Sequence, residues 1–432
     1  MTHYQNVIIG FGKAGKTLAT HLSEKNETVA LIEKSQGMYG GTCINVACIP
    51  TKALVFSAEQ VKHQDLSFKE KVAHYKKAIQ EKNEITETLR QANYNKVNDA
   101  NVTIIDGVAS FVDNTTLLVN DEHIKADKIY INTGSTPYIP EVFRHTAYYT
   151  SETIMELTEL PEHLTIIGAG YIGLEFASMY HNFGSKVSVV SNSNDFMPKE
   201  DFEVAQKVFQ HMKAIGIDFY FESTVTDLSD GEVIINNDTV IKSDAVLIAT
   251  GRLPNTSQLK MEKTDVEMDR AAVKVDNKLK TTVDHIYALG DVKGGLQFTY
   301  ISLDDYRIIT THERTTDNRG DIPYTVFIDP PLSRVGLTEQ EITSDIKVAK
   351  MPVATIPKTH ILRNKAGFLK VIVEAQTDLI LGAHLFCEDS FEIINIIRLA
   401  MQTKTPYQVL RDAIYTHPSM SEALNELLNT IV

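Results

Sequence analysis

An α/β chain with two Rossmann-like units and a C-terminal α+β domain is predicted by three observations. Val7-Ile8-Ile9 runs into Gly10-Phe11-Gly12-Lys13-Ala14-Gly15, a helical stretch Lys16–Glu24 and a strand Val29–Ile32. The same order returns at Leu164-Thr165-Ile166-Ile167, Gly168-Ala169-Gly170-Tyr171-Ile172-Gly173, Leu174–Phe183 and Lys186–Val190. From residue 320 the pattern becomes alternating strands (322–328, 334–337, 346–356, 368–375, 379–386) with helices near 388–403 and 406–413. At 432 residues the chain is too long for one ordinary core.

Composition narrows the class. Hydrophobic content of 43% and charged content of 23% are ordinary for a globular protein. A net charge of −14 with scattered basic residues argues against nucleic acid or an anionic membrane surface as the partner. No apolar run approaches the roughly 18 residues of a membrane span. The strand at Gln5–Gly10 leaves no room for a signal peptide ahead of it. Three cysteines do not make a secreted disulfide framework. The expected address is the cytoplasm.

Within the first unit, Gly10 permits the tight turn, Gly12 the close approach of a pyrophosphate, and Gly15 the packing of helix on strand. Glu33 ends the second strand, where an acid can bind the ribose hydroxyls of an adenosine. Residues 53–98 contain no Pro or Gly and read as two helices, Lys52 to about Gln64 and Ser67 to about Val97. Phe68, Val72, Tyr75 and Ile79 are spaced for one buried face of the second. Residues 102–135 are rich in strand, including Gly107–Phe111 and Ile129–Gly134. In the second unit the acid is missing, and Ser191-Asn192-Ser193-Asn194 stands in its place. An acid would repel a 2′-phosphate, so neutral donors point towards NADPH, with NADH still possible because the usual arginine is absent too. A helix over 201–215, strands around 217–235 and the run Ala245–Asn255 complete this unit. Ile286–Asp291 is a strand ending in Gly-Asp, and a helix lies within Gly295–Ile309. The expected domains are 1–148, 149–265, 266–318 (a return to the first) and 319–432.

The stretch Gly40-Gly41-Thr42-Cys43-Ile44-Asn45-Val46-Ala47-Cys48-Ile49-Pro50-Thr51-Lys52 carries the chemistry. Two thiols at this spacing, entering a helix, can close a small disulfide ring, and unpaired N–H groups there favour thiolate. Spacing alone leaves a pair of buried structural cysteines equally open. The glycine pair admits a flat ligand close to the backbone, and Lys52 supplies a cation one turn beyond the second thiol.

This stretch resembles the redox-active disulfide of the flavoprotein disulfide reductases, the group of glutathione reductase, dihydrolipoamide dehydrogenase and mercuric reductase. Their pattern GGTCxNxGCxPSK is matched except at Ala47 and Thr51. The resemblance implies an FAD-binding domain (1–148 with 266–318), an NAD(P)-binding domain and a C-terminal dimerisation domain. FAD is then expected on Gly10, Gly12, Gly15, Glu33, Lys34, Gly41, Thr42, Lys52, Ala109, Thr133, Gly134, Gly290 and Asp291. NADPH is expected on Gly168, Gly170, Tyr171, Gly173, Glu175, Ser191, Gly251 and Arg252, the last two within a match to the ATGRxPN motif, with Tyr171 covering the nicotinamide pocket. By the same resemblance Cys43 and Cys48 form the disulfide, with Cys48 facing the flavin and Cys43 meeting substrate. Lys52 pairs with Glu175 near the flavin. His417-Pro418-Ser419-Met420-Ser421-Glu422 resembles the HPTxxE signature, with Ser419 for Thr. There the His–Pro peptide is cis, and His417, oriented by Glu422, acts as general acid–base in the partner subunit's site. A homodimer with shared sites is therefore expected, and no metal site. Cys387 stands alone and reads as a buried apolar residue.

For the substrate, the run ending Asn429–Val432 lacks the vicinal cysteines of mercuric reductases and the redox extension of large thioredoxin reductases. Nearly the whole chain more nearly resembles the bacterial reactive-chlorine-resistance reductases, the hypothiocyanous acid reductases. The likeness is carried by Gly10–Leu18, Met38–Cys43, Gly295–Arg307, Pro330–Gly336 and Thr416–Glu422. It implies a small-molecule oxidant as substrate and a role in oxidant defence. The alternatives are a dihydrolipoamide dehydrogenase or another disulfide or metal-ion reductase and, from a different class, a flavin redox sensor of slow turnover.

Overall fold

A computed structural model describes residues 1–229 and 231–431. The first sheet runs in the order Thr103–Asp106, Val29–Glu33, Thr2–Ile9, Glu122–Ile131, Thr116–Val119, Ser110–Phe111. Its first four strands are parallel, and Ile286–Ala288 returns to pair in parallel with Glu122–Ile131. Val29–Glu33 is buried along its whole length, as a parallel strand covered on both faces must be. Helix α1 (Lys13–Glu24) leaves the Gly10–Gly12 turn directly.

Between the strands the chain builds α2 (Thr42–Asn45), α3 (Cys48–Lys62) and the long α4 (Phe68–Asn98). A capping box starts α4: Glu70 N–H donates to Ser67 Oγ, and Glu70 Oε2 accepts the Ser67 N–H. Helix α3 begins at Cys48, four residues before the position expected from periodicity. Pro50 falls in its first turn, where a missing N–H costs nothing because that donor has no intrahelical partner.

The second sheet is wholly parallel, in the order Asp218–Tyr220, Lys186–Val190, His163–Ile167, Ala245–Ile248, Tyr149–Thr150. Helices α5 (Tyr171–Phe183) and α6 (Phe202–Ala214) belong to this unit. Helix α5 starts at Tyr171, three residues before the expected Leu174, because the glycine turn feeds straight into it. Helix α4 packs towards α5: the hydroxyls of Tyr75 and Tyr180 lie 2.9 Å apart, and the Tyr75 ring meets Phe183 edge-on at 5.1 Å. Tyr75 and Ile79 are buried, with Phe68 and Val72 packed at the margin of the same core.

After α7 (Thr299–Thr310) the C-terminal sheet is antiparallel, in the order Tyr324–Val326, Leu332–Gly336, Ile380–Phe386, Phe368–Glu374, Ile346–Pro352. The strand expected to reach 356 stops at Pro352, which has no donor to continue the ladder. Around this sheet lie α8 (Pro357–Leu362), α9 (Ser390–Gln402), α10 (Tyr407–Arg411) and α11 (Ala423–Asn429). The sequence reading did not anticipate α8 or α11; α11 buries Leu424, Leu427 and Leu428 in the last core. Cys387 is fully buried there, as expected of an apolar residue.

Lys82 of α4 is also buried, donating to the Met155 carbonyl (2.9 Å) and to Glu156 (2.8 Å). Lys82→Ala strands that carbonyl and opens a cavity, so it is expected to cost about 1–3 kcal/mol. A lowered Tm of the purified variant checks this.

Candidate active site

Cys43 lies in α2 and Cys48 is the first residue of α3, and both are thiols here. The loop that carries them is held from below. Asn45 Nδ2 donates to the Tyr39 and Gly41 carbonyls at 2.9 Å each, and Arg90 of α4 donates to Asn45 Oδ1 at 2.9 Å. Gly41 (φ +83°) abuts the first glycine turn so closely that a Cβ on it would lie 2.7 Å from the Gly12 Cα. No side chain fits there, and the loop is thereby pinned to the start of α1.

Cys48 Sγ is 3.5 Å from Thr299 Oγ1. Its thiol is drawn down to about 6, chiefly by a hydrogen bond from Cys43, against burial and with help from Thr299 and the Lys52 charge. Cys43 moves the opposite way, pushed up by that shared hydrogen bond and by burial. One proton between two sulfurs thus settles on Cys43 and leaves Cys48 as the thiolate. Lys52 Nζ sits 2.6 Å from Glu175 Oε2 of α5 and 4.5 Å from the Phe327 ring centre; Glu175 Oε1 accepts the Phe327 N–H at 2.8 Å.

The thiols open into a cavity of about 2330 Å³ that runs between the C-terminal ends of the parallel strands of the first and second sheets. That exceeds the roughly 300–1,000 Å³ of a single drug-sized site. Of the residues expected to hold nucleotide, Gly10, Gly12, Glu33, Lys34, Gly41, Thr42, Lys52, Ala109, Thr133, Gly134 and Asp291 line it. So do Gly168, Gly170, Tyr171, Glu175, Ser191, Gly251 and Arg252 of the second group. Gly15, Gly173 and Gly290 do not reach its wall. Gly15 and Gly173 each pack against the carbonyl of the glycine that opens their own turn, Gly10 and Gly168, and the Gly290 N–H donates to buried Asp305 (2.6 Å). Arg252 is engaged internally, with Nε to Ser135 Oγ at 2.9 Å and Nη2 to Glu152 at 3.2 Å.

His417 and Glu422 are brought together but do not line the cavity. His417 Nδ1 is 2.8 Å from Glu422 Oε2, Glu422 Oε1 accepts the Ser419 N–H at 3.1 Å, and the His417–Pro418 peptide is cis. The histidine ring stands exposed.

Residues 4–305 match the model of the pyridine nucleotide-disulphide oxidoreductases, and residues 322–428 match that family's dimerisation domain. The chain belongs to this family. It is 46% identical to the probable pyridine nucleotide-disulfide oxidoreductase RclA of Escherichia coli K12, with all of both chains covered. It is 31% identical to a dihydrolipoyl dehydrogenase of Mycobacterium tuberculosis H37Rv, over 100% of this chain and 99% of the other. A solved structure described as the HOCl-induced flavoprotein disulfide reductase RclA from Escherichia coli superposes with a TM-score of 0.93 at 45% identity, covering 99% of each chain.

The pyridine nucleotide-disulphide oxidoreductases use FAD and a pyridine nucleotide, and the cavity fits both. At the first turn the Glu33 carboxylate, taking the Phe11 N–H at 2.9 Å, faces the cavity where a ribose would sit; burial raises its pKa. At the second, α5 begins without a side-chain cap, leaving its first N–H groups free for an anion among the described residues. Gly170 has nothing within 4 Å of where a Cβ would stand, so any side chain would project into this space. Among the described residues no His/Cys/Asp/Glu cluster could hold a metal, and no helix is long and apolar enough to cross a membrane.

Several wall residues escaped the sequence reading. Thr299 and Tyr300 lie inside the run Gly295–Arg307, yet nothing in that run marks Thr299 as a thiol neighbour. Tyr171 donates to Glu200 Oε1 (2.6 Å) and stacks on Tyr324 (5.7 Å), a pairing of residues 153 apart that only packing creates.

The lowered Cys48 value predicts a pH dependence. The thiolate is present above about pH 6 and is lost as pH falls through it. Ultraviolet thiolate absorbance of the dithiol protein is expected to titrate there, and Cys48→Ser to abolish that step.

Proposed function

We propose that the protein is an NADPH-dependent flavoprotein reductase that uses Cys43 and Cys48 to reduce hypothiocyanous acid to thiocyanate in oxidant defence. The observation that carries this reading is the thiol pair itself: Cys48 is set as a thiolate beside Thr299, at the edge of a cavity built for two dinucleotides. Full-length identity of 46% to RclA, whose solved form is described as an HOCl-induced flavoprotein disulfide reductase, supports an electrophilic oxidant as substrate.

Bound FAD and NADPH supply the electron pair that returns the disulfide to two thiols. The chain's own residues do the rest. The Cys43 thiolate attacks the electrophilic sulfur of HO–SCN, forming Cys43–S–SCN, and His417 protonates the departing hydroxide to water. The Cys48 thiolate then attacks the Cys43 sulfur, closing the disulfide and releasing thiocyanate. Overall two thiols and HOSCN give a disulfide, thiocyanate, water and one proton. Lys52, anchored by Glu175, holds positive charge beside Cys48, and Glu422 keeps the His417 ring oriented. Cys387, the third cysteine, is fully buried and takes no part in this step.

At the coenzyme end, the Ser191 hydroxyl accepts the Ser193 N–H (3.2 Å), and Asn192 and Ser193 share the wall. Lys199 and Asp195 line the same cavity, so charge there is balanced rather than acidic. NADPH oxidation is expected to be faster with hypothiocyanous acid than with lipoamide, oxidised glutathione or mercuric ion. Ser191→Glu should lower kcat/KM for NADPH relative to NADH by roughly tenfold. Faster turnover with lipoamide would make the protein a dihydrolipoyl dehydrogenase instead.

The site is shared between two subunits in this reading. His417 lies outside its own chain's cavity, and Ile414, three residues before it, is fully exposed. Mixing inactive Cys43→Ser with inactive His417→Ala under subunit exchange is expected to restore roughly a quarter of parent activity. About half the dimers are then mixed, and each has one intact site. No recovery, with exchange shown by mass, would place the site within one chain.

A further inference from the structure

Glu200 is 1% exposed and does not line the cavity, yet its carboxylate is bonded to two residues that do. Its Oε1 accepts the Tyr171 hydroxyl at 2.6 Å and the Tyr324 hydroxyl as well. Burial and the Glu200 charge push both phenols upward, so each stays protonated and donates. Glu200 Oε2 is buried without a hydrogen-bond donor among the described residues, and the Arg334 guanidinium stands 3.9 Å away. A buried carboxylate with one idle oxygen costs stability, and packing alone does not call for one.

The surroundings of this carboxylate are fixed. Gln340 donates to the Glu200 carbonyl at 2.7 Å, and Arg334 donates to the carbonyls of Lys199 and Gly336 and to Glu341. The Tyr324 ring stacks on both Tyr171 (5.7 Å) and Phe298 (6.0 Å). Tyr171 is the freest member. It opens α5 half-buried, and the only polar partners of its hydroxyl among the described residues are Glu200 and the Tyr324 hydroxyl (3.4 Å).

Where that ring stands matters to the coenzyme. A pyridine nucleotide whose pyrophosphate lies at the start of α5 must extend past Tyr171 to bring its ring towards Lys52 and the thiols. Glu175, one turn along the same face of α5, meets Lys52 at 2.6 Å. With Tyr171 bonded to Glu200, one cavity joins Gly168 to Cys48, so the passage is open. A freed ring has rotamers that enter it.

We infer that Glu200 is a positioning residue for the pyridine nucleotide: by bonding Tyr171 and Tyr324 together it holds the Tyr171 ring back in the wall and keeps the passage open. This role rests on the coenzyme lying along the second glycine turn.

Calorimetric titration of the oxidised FAD-loaded protein with NADP+ and NAD+, with anaerobic stopped-flow reduction of the flavin by NADPH and NADH, tests it without any oxidant substrate. Glu200→Ala is expected to raise the Kd of the preferred coenzyme roughly tenfold, because the open rotamer is then only a fraction of the population. The limiting rate of flavin reduction at saturating coenzyme is expected to stay within about twofold of the parent, since only the competent fraction has changed. Glu200→Gln, whose amide oxygen still accepts both hydroxyls, is expected to bind like the parent. Tyr171→Phe cannot donate to Glu200 and is expected to weaken binding by a similar factor, with Glu200→Ala adding nothing to it. If Glu200→Ala does not yield holoprotein, Tyr171→Phe carries the same expectation. Parent-like or tighter binding in these two variants, an equal loss in Glu200→Gln, or additive losses in the double variant overturns the role of Glu200. Gly170→Asp separates this from the placement of the coenzyme: its side chain meets open space and caps the first N–H groups of α5, removing the anion site without crowding. Parent-like binding by Gly170→Asp would overturn the placement itself. Weakened binding there beside a parent-like Glu200→Ala would overturn the role of Glu200 alone.

Discussion

Contact between two glycines sets the geometry of the site. Gly41 lies against Gly12 with no room for a Cβ between them, so the cysteine loop rests on the turn that opens α1. Nucleotide turn and thiols are thereby fixed to one another by backbone rather than by flexible side chains, the tighter of the two ways to hold reacting groups. Everything else near the thiols braces that contact. Asn45 ties the loop to its own carbonyls, Arg90 ties Asn45 to α4, and Lys16 reaches the Gly40 carbonyl from α1.

The second constraint is that the parallel strands of two sheets open their C-termini into one space. Helices α3 and α4 make this possible by reaching out of the first unit to pack on α5 through Tyr75, Tyr180 and Phe183. The same excursion carries Lys52 to Glu175, so an ion pair beside the thiols spans both units. Tyr324 of the C-terminal domain stacks on Tyr171 of the second unit, with Glu200 accepting from both hydroxyls. All three parts of the chain therefore meet at the cavity wall.

Electrostatics near the thiols is a contest between burial and charge. Burial opposes both thiolates, and what decides between the sulfurs is the single proton they share. Thr299 and the Lys52 charge then add to the pull on Cys48.

Much was legible in the sequence because its signals are local. Glycines at fixed offsets, strands of apolar residues and two cysteines entering a helix identify turns, sheets and thiols without reference to distant residues. The ends of elements were less legible, since Pro50 inside α3 and Pro352 at a strand end act through the backbone donors they lack. Short α8 and α11 carry too few turns for periodicity to register. What only the tertiary structure decided are the partnerships made across long separations: Thr299 with Cys48, Tyr324 with Tyr171, and buried Lys16 with Gly40 and Asn93. Lys16, which directly follows the last glycine of the first turn, carries no sign of burial in the sequence. Its burial and its neutral acceptors exist only once α1, α4 and the cysteine loop have packed together.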